Sequence, residues 1–231
     1  MCQPFKATLG AVVTCMLIAG CANTDGSPKP TTTQAMTPRP LVERELSGLL
    51  LSPEQANAAM GATAMTVTNT QTAMSDNSAT MAPPECLAID GAAEATVYAN
   101  SGSWAQRDQS LNDGDRFTHY LKQAVVLFPT AQKAGDFFDT SAQRWPACRQ
   151  YSHLQSGTQW TVGEISTANG VLSTTTTEQN ASAPGWACGR ALTAKNNVII
   201  DINTCSANPA DSAITIANQI AANVAAVAAR W

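Results

Sequence analysis

The chain has 231 residues, enough for one domain of usual size with a real core and a tail in front of it. Removing the first 20 residues takes away Lys6 and no acidic residue, so 12 basic and 17 acidic side chains remain, a net charge of −5. Such a chain lacks the basic surface that nucleic acid or anionic lipid requires, and charge-driven binding to either is excluded.

The first 20 residues carry one positive side chain, Lys6, and then an apolar run from Ala7 to Ala19. The run is shorter than the roughly twenty apolar residues that cross a bilayer as a helix, so residues 1–20 read as a signal peptide. It ends in Leu17-Ile18-Ala19-Gly20-Cys21, which resembles the lipobox cut by bacterial lipoprotein signal peptidase. Cys21 is therefore the expected lipidation site. The acyl chains of a mature lipoprotein hold it stably, which places the protein on the extracytoplasmic face of the cell membrane, joined to it through the lipid anchor. Residues 21–43 follow as a linker, with Thr24, Thr31, Thr32, Thr33 and Thr37 among Pro28, Pro30, Pro38 and Pro40. That composition favours an extended leash and also suits an O-glycosylated stalk. The folded domain is expected over 44–231.

Ser52-Pro53-Glu54-Gln55 supplies an N-cap, a proline in the first turn and a glutamine at N3, predicting a short helix to Met60 that stops at Gly61. A strand from Ala64 to Thr70 follows, then a helical stretch from Cys86 to Asn100. Trp104 to Leu111 and Phe117 to Phe128 read as an antiparallel pair joined by Asn112-Asp113-Gly114-Asp115. Thr130 caps a helix whose apolar face is Ala134, Phe137, Phe138, Ser141 and Trp145, closed by Pro146. Asn169-Gly170 marks a hairpin between Trp160 to Ala168 and Val171 to Glu178, and Asn196-Asn197 marks another within Trp186 to Thr204. Asn208-Pro209-Ala210-Asp211 opens a last helix to Arg230, with Ile214, Ala217, Ile220, Val224, Val227 and Trp231 on one face. Asn218, Gln219 and Asn223 interrupt that face, so the helix is expected to pack on the sheet and not to span a membrane. The class is α+β, a single domain with an antiparallel meander of about six strands packed by helices.

Seven cysteines divide by position. Cys2 and Cys15 leave with the signal and Cys21 takes lipid, leaving Cys86, Cys148, Cys188 and Cys205 on the oxidising side of the membrane. In a two-residue hairpin at Asn196-Asn197, Lys195 faces Val198, and counting outward brings Cys188 opposite Cys205 on a non-hydrogen-bonded pair, where strands lie closest. Cys86 is then left for Cys148. Zinc is the rival reading, but no CxxC spacing occurs and only His119 and His153 stand by to help, so no metal is expected.

No GxSxG elbow, HExxH pair, phosphate loop or dinucleotide fingerprint occurs, so neither catalytic residues nor a cofactor are assigned. His119 and His153 are the available bases, each also readable as an ordinary surface or core histidine. Asp108, Asp113 and Asp115 could be grouped as calcium ligands, although the glutamate of an EF-hand loop is missing and a solvated turn is the plainer reading. Trp104, Trp160 and Trp186 suit either a sugar or lipid site or the core. Asn180-Ala181-Ser182 has the glycosylation sequon, which means little in a bacterium.

Several features together resemble the PknH-type extracellular sensor domain of mycobacteria. They are the lipobox and Thr/Pro linker, Leu49-Leu50-Leu51-Ser52 before the first helix, and Phe117 to Phe128 with its Val-Val-Leu-Phe ending. They continue with the Phe137-Phe138 helix bearing Trp145 and Cys148, Trp160-Thr161-Val162-Gly163, Cys188 and Cys205, and an alanine-rich closing helix. That family occurs as the external part of a receptor serine/threonine kinase and as free lipoproteins. The resemblance implies an α+β domain with two disulfides and a large cleft that binds a small molecule or cell-envelope component without catalysis. The alternative function is an envelope scaffold or interaction protein with no small-molecule ligand.

Overall fold

The computed structural model describes residues 38–230. Cys21, the signal segment, the linker up to Thr37 and Trp231 lie outside the described residues.

Ten strands form one antiparallel sheet. In chain order they are β1 Thr66–Gln71, β2 Met81–Ala82, β3 Ala105–Asn112, β4 Tyr120–Leu127 and β5 Gln150–His153. Then come β6 Gln159–Val162, β7 Ser166–Ala168, β8 Val171–Glu178, β9 Ala187–Lys195 and β10 Val198–Ser206. The spatial order is β1-β3-β4-β10-β9-β8-β6-β5-β2, with β7 paired to β8 off this path. The helices are α1 Pro53–Met60, α2 Leu87–Asp90, α3 Ala95–Tyr98, α4 Ala131–Arg144 and α5 Ser212–Ala228, preceded by a 3-10 helix at Glu43–Leu49.

The class is the expected one, but the sheet is larger than about six strands and is not a simple meander. After β4 the chain crosses through α4 to the far side of the sheet, walks back from β5 to β10, and inserts β10 beside β4. The reason lies in β10 itself. Every residue of Val198–Ser206 is buried, its first half apolar on both faces through Val198, Ile199 and Ile200, and such a strand belongs in the middle of a sheet covered on both sides. Helices α5 and α1 and the Glu43–Leu49 turn cover one face over Leu121, Val125, Val198, Ile200 and Ile202. Helix α4 and the α2–α3 segment cover the other, over Val126, Phe128, Leu172, Leu192 and Ile199.

Local departures from expectation have local causes. The helix expected over Cys86–Asn100 breaks into α2 and α3, because Ala93 takes a positive φ of 53° and its N–H donates to the buried Asp201 carboxylate. Strand β4 starts at Tyr120 and not Phe117, since Asp113 accepts both the Thr118 and His119 N–H groups and holds them in the loop. The long strand Trp160 to Ala168 is cut at Gly163, whose backbone approaches the Thr175 carbonyl so closely that a Cβ would sit 2.8 Å from its oxygen. Helix α5 begins at Ser212, after a positive φ at Ala210, and its buried stripe is Ala213, Ile216, Ala217, Ile220, Val224 and Ala228. That stripe is rotated from the one read in the sequence, with Ile214 and Val227 at its edge.

Disulfides join Cys86 to Cys148 and Cys188 to Cys205. The second ties the register partners Cys188 and Cys205 of the β9–β10 hairpin, in which Lys195 faces Val198. The first fastens the turn before α2 to the end of α4.

Candidate functional site: a polar cleft on the helix α2 face

The same sheet face that carries the second core becomes polar toward the Cys188–Cys205 end. Alternation along β4 puts Tyr120 and Lys122 on this face, β10 adds Asn203 and Cys205, and β3 adds Asp108 and Ser110. The Asp90–Glu94 turn comes down over it from α2, the segment after β1 brings Ser75 and Asn77, and β5 and β6 bring His153 and Trp160. Apart from Asp108, which is buried and does not line the space, they enclose a cleft of about 460 Å³, with Phe117 and Trp186 at its mouth. A second and wider groove, of about 1120 Å³, runs between α4 and the Pro84–Ser101 segment. Its charged groups, Glu85, Lys133, Asp136 and Arg144, belong to the open helix surface, whereas the smaller cleft collects buried polar groups that have little reason to be inside otherwise.

Chief among these is Lys122, only 7 % exposed. Its Nζ donates to Ser75 Oγ at 3.1 Å, and among the described residues no carboxylate lies within ion-pair distance. Glu94 is 2 % exposed; its carboxylate accepts from the Asn77 backbone N–H at 2.9 Å and from Asn77 Nδ2 at 2.7 Å. Burial raises its pKa above the usual range, opposed by the Asn77 bonds and by the Lys122 charge. Asp108, also buried, has no hydrogen-bond partner on either oxygen among the described residues, and burial raises its pKa against the pull of Lys122. Burial likewise raises the Tyr120 phenol, whose OH meets Ser110 Oγ at 3.4 Å.

At the opposite end His153 Nε2 lies 2.7 Å from Asp90 Oδ1, and this bond raises the imidazole pKa. His153 Nδ1 meets Thr158 Oγ1 at 3.2 Å. An acid, an imidazole and a hydroxyl in line have the order of a nucleophilic relay. The hydroxyl here is occupied: Thr158 Oγ1 accepts from Trp160 Nε1 at 3.3 Å and contacts Ser156 Oγ at 3.0 Å. The nearby N–H groups of His153, Gly157 and Thr158 are spent within the turn and are not available as oxyanion donors. The arrangement reads as a turn lock.

The residues singled out in the sequence are scattered by the fold. His153, Trp160 and Trp186 come to the cleft, while Trp104 stands elsewhere, 71 % exposed. His119 is tied to Asp113 Oδ2 at 2.9 Å in the β3–β4 loop, and together with Thr118 it holds that carboxyl far below its usual pKa. Asp108 is buried on the sheet and Asp115 is exposed in the loop, and no group of three metal-ligating side chains forms among the described residues. Asn180 sits in an exposed turn at a φ of 56°. Lys122, Glu94, Asp90, Tyr120 and Asn203 were not marked as candidates. The available signal was the lysine itself, set inside the run Tyr120-Leu121-Lys122-Gln123-Ala124-Val125, where a sheet residue covered on both faces is rarely charged.

Residues 41–223 match the profile of the PknH-like extracellular domain family. The chain belongs to that family. Among its relatives are the serine/threonine-protein kinases PknH of Mycobacterium bovis and Mycobacterium tuberculosis, each 33 % identical over 198 residues covering 84 % of this chain. The chain spans about a third of the length of these kinases, 32 % and 31 % respectively. The crystal structure of the extracellular domain of PknH from Mycobacterium tuberculosis superimposes with a TM-score of 0.77 at 32 % identity, over 82 % of this chain and all of that one. The cleft of this PknH-like domain is thus built on an extracellular-domain fold, and no helix among the described residues is long and apolar enough to cross a membrane.

Proposed function

We propose that the chain is an extracytoplasmic lipoprotein whose domain captures a small molecule or cell-envelope component in the Lys122 cleft without catalysing its conversion. One observation carries the reading: a buried ammonium with a single hydroxyl partner, beside buried carboxylates, at the floor of an open cleft. Burying a charge without a close counter-ion is costly, and fold stability alone gives no return for it. A ligand that meets the remaining N–H groups does. The Asp90–His153–Thr158 line, with its hydroxyl occupied by Trp160 and Ser156 and the N–H groups of His153, Gly157 and Thr158 spent in the turn, supports binding over turnover. The tether rests on the Leu17 to Cys21 motif and the leash behind it, and agrees with a family whose relatives include the external domains of receptor kinases.

Native mass spectrometry of protein released from its own membrane tests both halves. A Cys21-linked diacylglycerol mass, lost in Cys21→Ala together with membrane association, is expected. So is a further non-covalent adduct that disappears in Lys122→Met. A released chain with neither adduct nor saturable ligand, yet with protein partners recovered by crosslinking in intact cells, would favour the envelope-scaffold reading.

A further inference from the structure

The mouth of the cleft is aromatic. Phe117, 42 % exposed, has its ring 6.1 Å from that of Trp186 at 50° and 6.0 Å from that of Tyr120 at 40°. Phe117 is exposed and Tyr120 and Trp186 are half-buried, so this aromatic cluster at the edge of a polar cleft offers a platform on which an apolar ring face can stack. Within the cleft, donors and acceptors alternate over short distances. Lys122 has two N–H donors beyond the one given to Ser75. Asn203 Nδ2 donates to the Asp90 carbonyl at 2.8 Å; its Oδ1 has only Cys205 Sγ beside it, a disulfide sulfur with no hydrogen, so this oxygen remains an acceptor.

Charges of both signs stand in and beside the cleft. The Lys122 ammonium is set between the fields of Glu94 and Asp108, and His153 is paired with Asp90. A strong anion would meet the two carboxylates and a strong cation would meet the lysine. A group that both donates and accepts, and carries no charge, satisfies this mixture, and the hydroxyl is that group. Hydroxyls on a ring that also has an apolar C–H face are the chemistry of a sugar.

Resting on the cleft-binding reading above, we propose that the ligand is a neutral saccharide. One sugar ring lies against Trp186 and Phe117, and its hydroxyls bond to Lys122 Nζ and Asn203 Oδ1. The volume of about 460 Å³ lies within the roughly 300–1,000 Å³ usual for small-ligand pockets.

The test titrates the full-length protein in detergent with soluble oligosaccharides of hexose and pentose, with oligouronates, and with phospholipid vesicles. Trp160 and Trp186 report as intrinsic fluorophores, and saturation-transfer NMR reports the bound ring. A saturable change with at least one neutral oligosaccharide is expected, weakened about tenfold or more by Trp186→Ala and by Lys122→Met. The exposed-site variant Phe117→Ala serves if Lys122→Met fails to fold. Tighter binding of oligouronates than of any neutral sugar overturns the neutral assignment. Sugar binding that survives Trp186→Ala, Lys122→Met and Phe117→Ala overturns the placement. A response to lipid alone overturns the saccharide and leaves the cleft reading standing, whereas no response to any of the three classes removes both.

Discussion

The buried pair of Arg190 and Asp201 sets the roof of the cleft, and removing it should be costly. Arg190 Nη1 lies 2.7 Å from Asp201 Oδ1 and also donates to the Ile202 carbonyl. Nη2 donates to the carbonyls of Ala88 at 2.8 Å and Gly91 at 3.1 Å, and the guanidinium stands 5.3 Å above the Trp145 ring. Asp201 Oδ2 in turn accepts from the Ala93 N–H and the Tyr98 hydroxyl, both at 2.9 Å. Arg190→Met keeps the volume but leaves a buried carboxylate without its cation and removes the donor to three carbonyls, those of Ile202, Ala88 and Gly91. Breaking a buried pair on one side costs about 3–5 kcal/mol. For a domain of this size that corresponds to a fall of roughly 6–20 °C in Tm. Urea denaturation would measure the loss, and Arg190→Met combined with Asp201→Leu should recover part of it, with a coupling of about 2 kcal/mol or more in the double-mutant cycle. A loss below about 1 kcal/mol in Arg190→Met, with no coupling, would refute the claim that this pair holds the Ala88–Ala93 turn to the sheet.

Removing the Cys188–Cys205 bridge, which closes 17 residues, should cost about 3 kcal/mol, and removing the 62-residue Cys86–Cys148 bridge about 4, both read from urea midpoints of the paired Cys→Ser variants. Asn197→Ala should cost about 2 kcal/mol in the same assay. Its buried amide donates to the carbonyls of Leu41 and Phe128 and accepts from the Leu41 N–H, fastening the start of the domain to the sheet. The domain should be most stable at mildly acidic pH. The raised pKa values of His153, Glu94 and Asp108 each contribute stability that is complete below the group's unfolded pKa and is lost as pH rises through its folded one. The lowered Asp113 and Glu45 act the other way, but only as pH falls through the carboxylate range. Tm measured from pH 5 to 8.5 should therefore decline toward the alkaline end. His153→Gln should flatten the part of that decline above about pH 6.5, and an unchanged slope would show that the Asp90 bond is not its source.

The legible parts of the fold were those specified by neighbours in the chain. Ser52 and Gln55 cap α1 reciprocally, Thr130 caps α4, and Asn169-Gly170 and Asn196-Asn197 make the two tight hairpins, because each device acts within a few residues. The pairing of β4 with β10 spans some eighty residues, and no local signal encodes it beyond the apolar Val198-Ile199-Ile200 run that opens β10. Strands β2 and β5 are short and pair only with each other and β6, too brief for any alternation to register. The break between α2 and α3 was hidden for a related reason. It depends on Asp201, more than a hundred residues away, drawing the Ala93 N–H and the Tyr98 hydroxyl to itself.

The cleft is further from the sequence than any of these, because its floor, roof and walls come from segments far apart in the chain. Lys122, Asn203, Glu94 and His153 arrive on four separate elements, and each has an ordinary local reading: a strand lysine, a strand asparagine, a turn glutamate and a strand-end histidine. Their meaning comes from burial, which turns an unremarkable lysine into a charge that needs a partner. The two tryptophans show the same dependence. Trp160, within β6, and Trp186, just before β9, reach the cleft, while Trp104, just before β3, is largely exposed. Residue type marks all three rings alike as possible stacking platforms; only the fold decides that Trp160 and Trp186 line the cleft and Trp104 does not. Substituting Trp104 should therefore leave ligand binding untouched, and the contrast between Trp104→Ala and Trp186→Ala separates a platform in the cleft from a general aromatic stickiness of the surface.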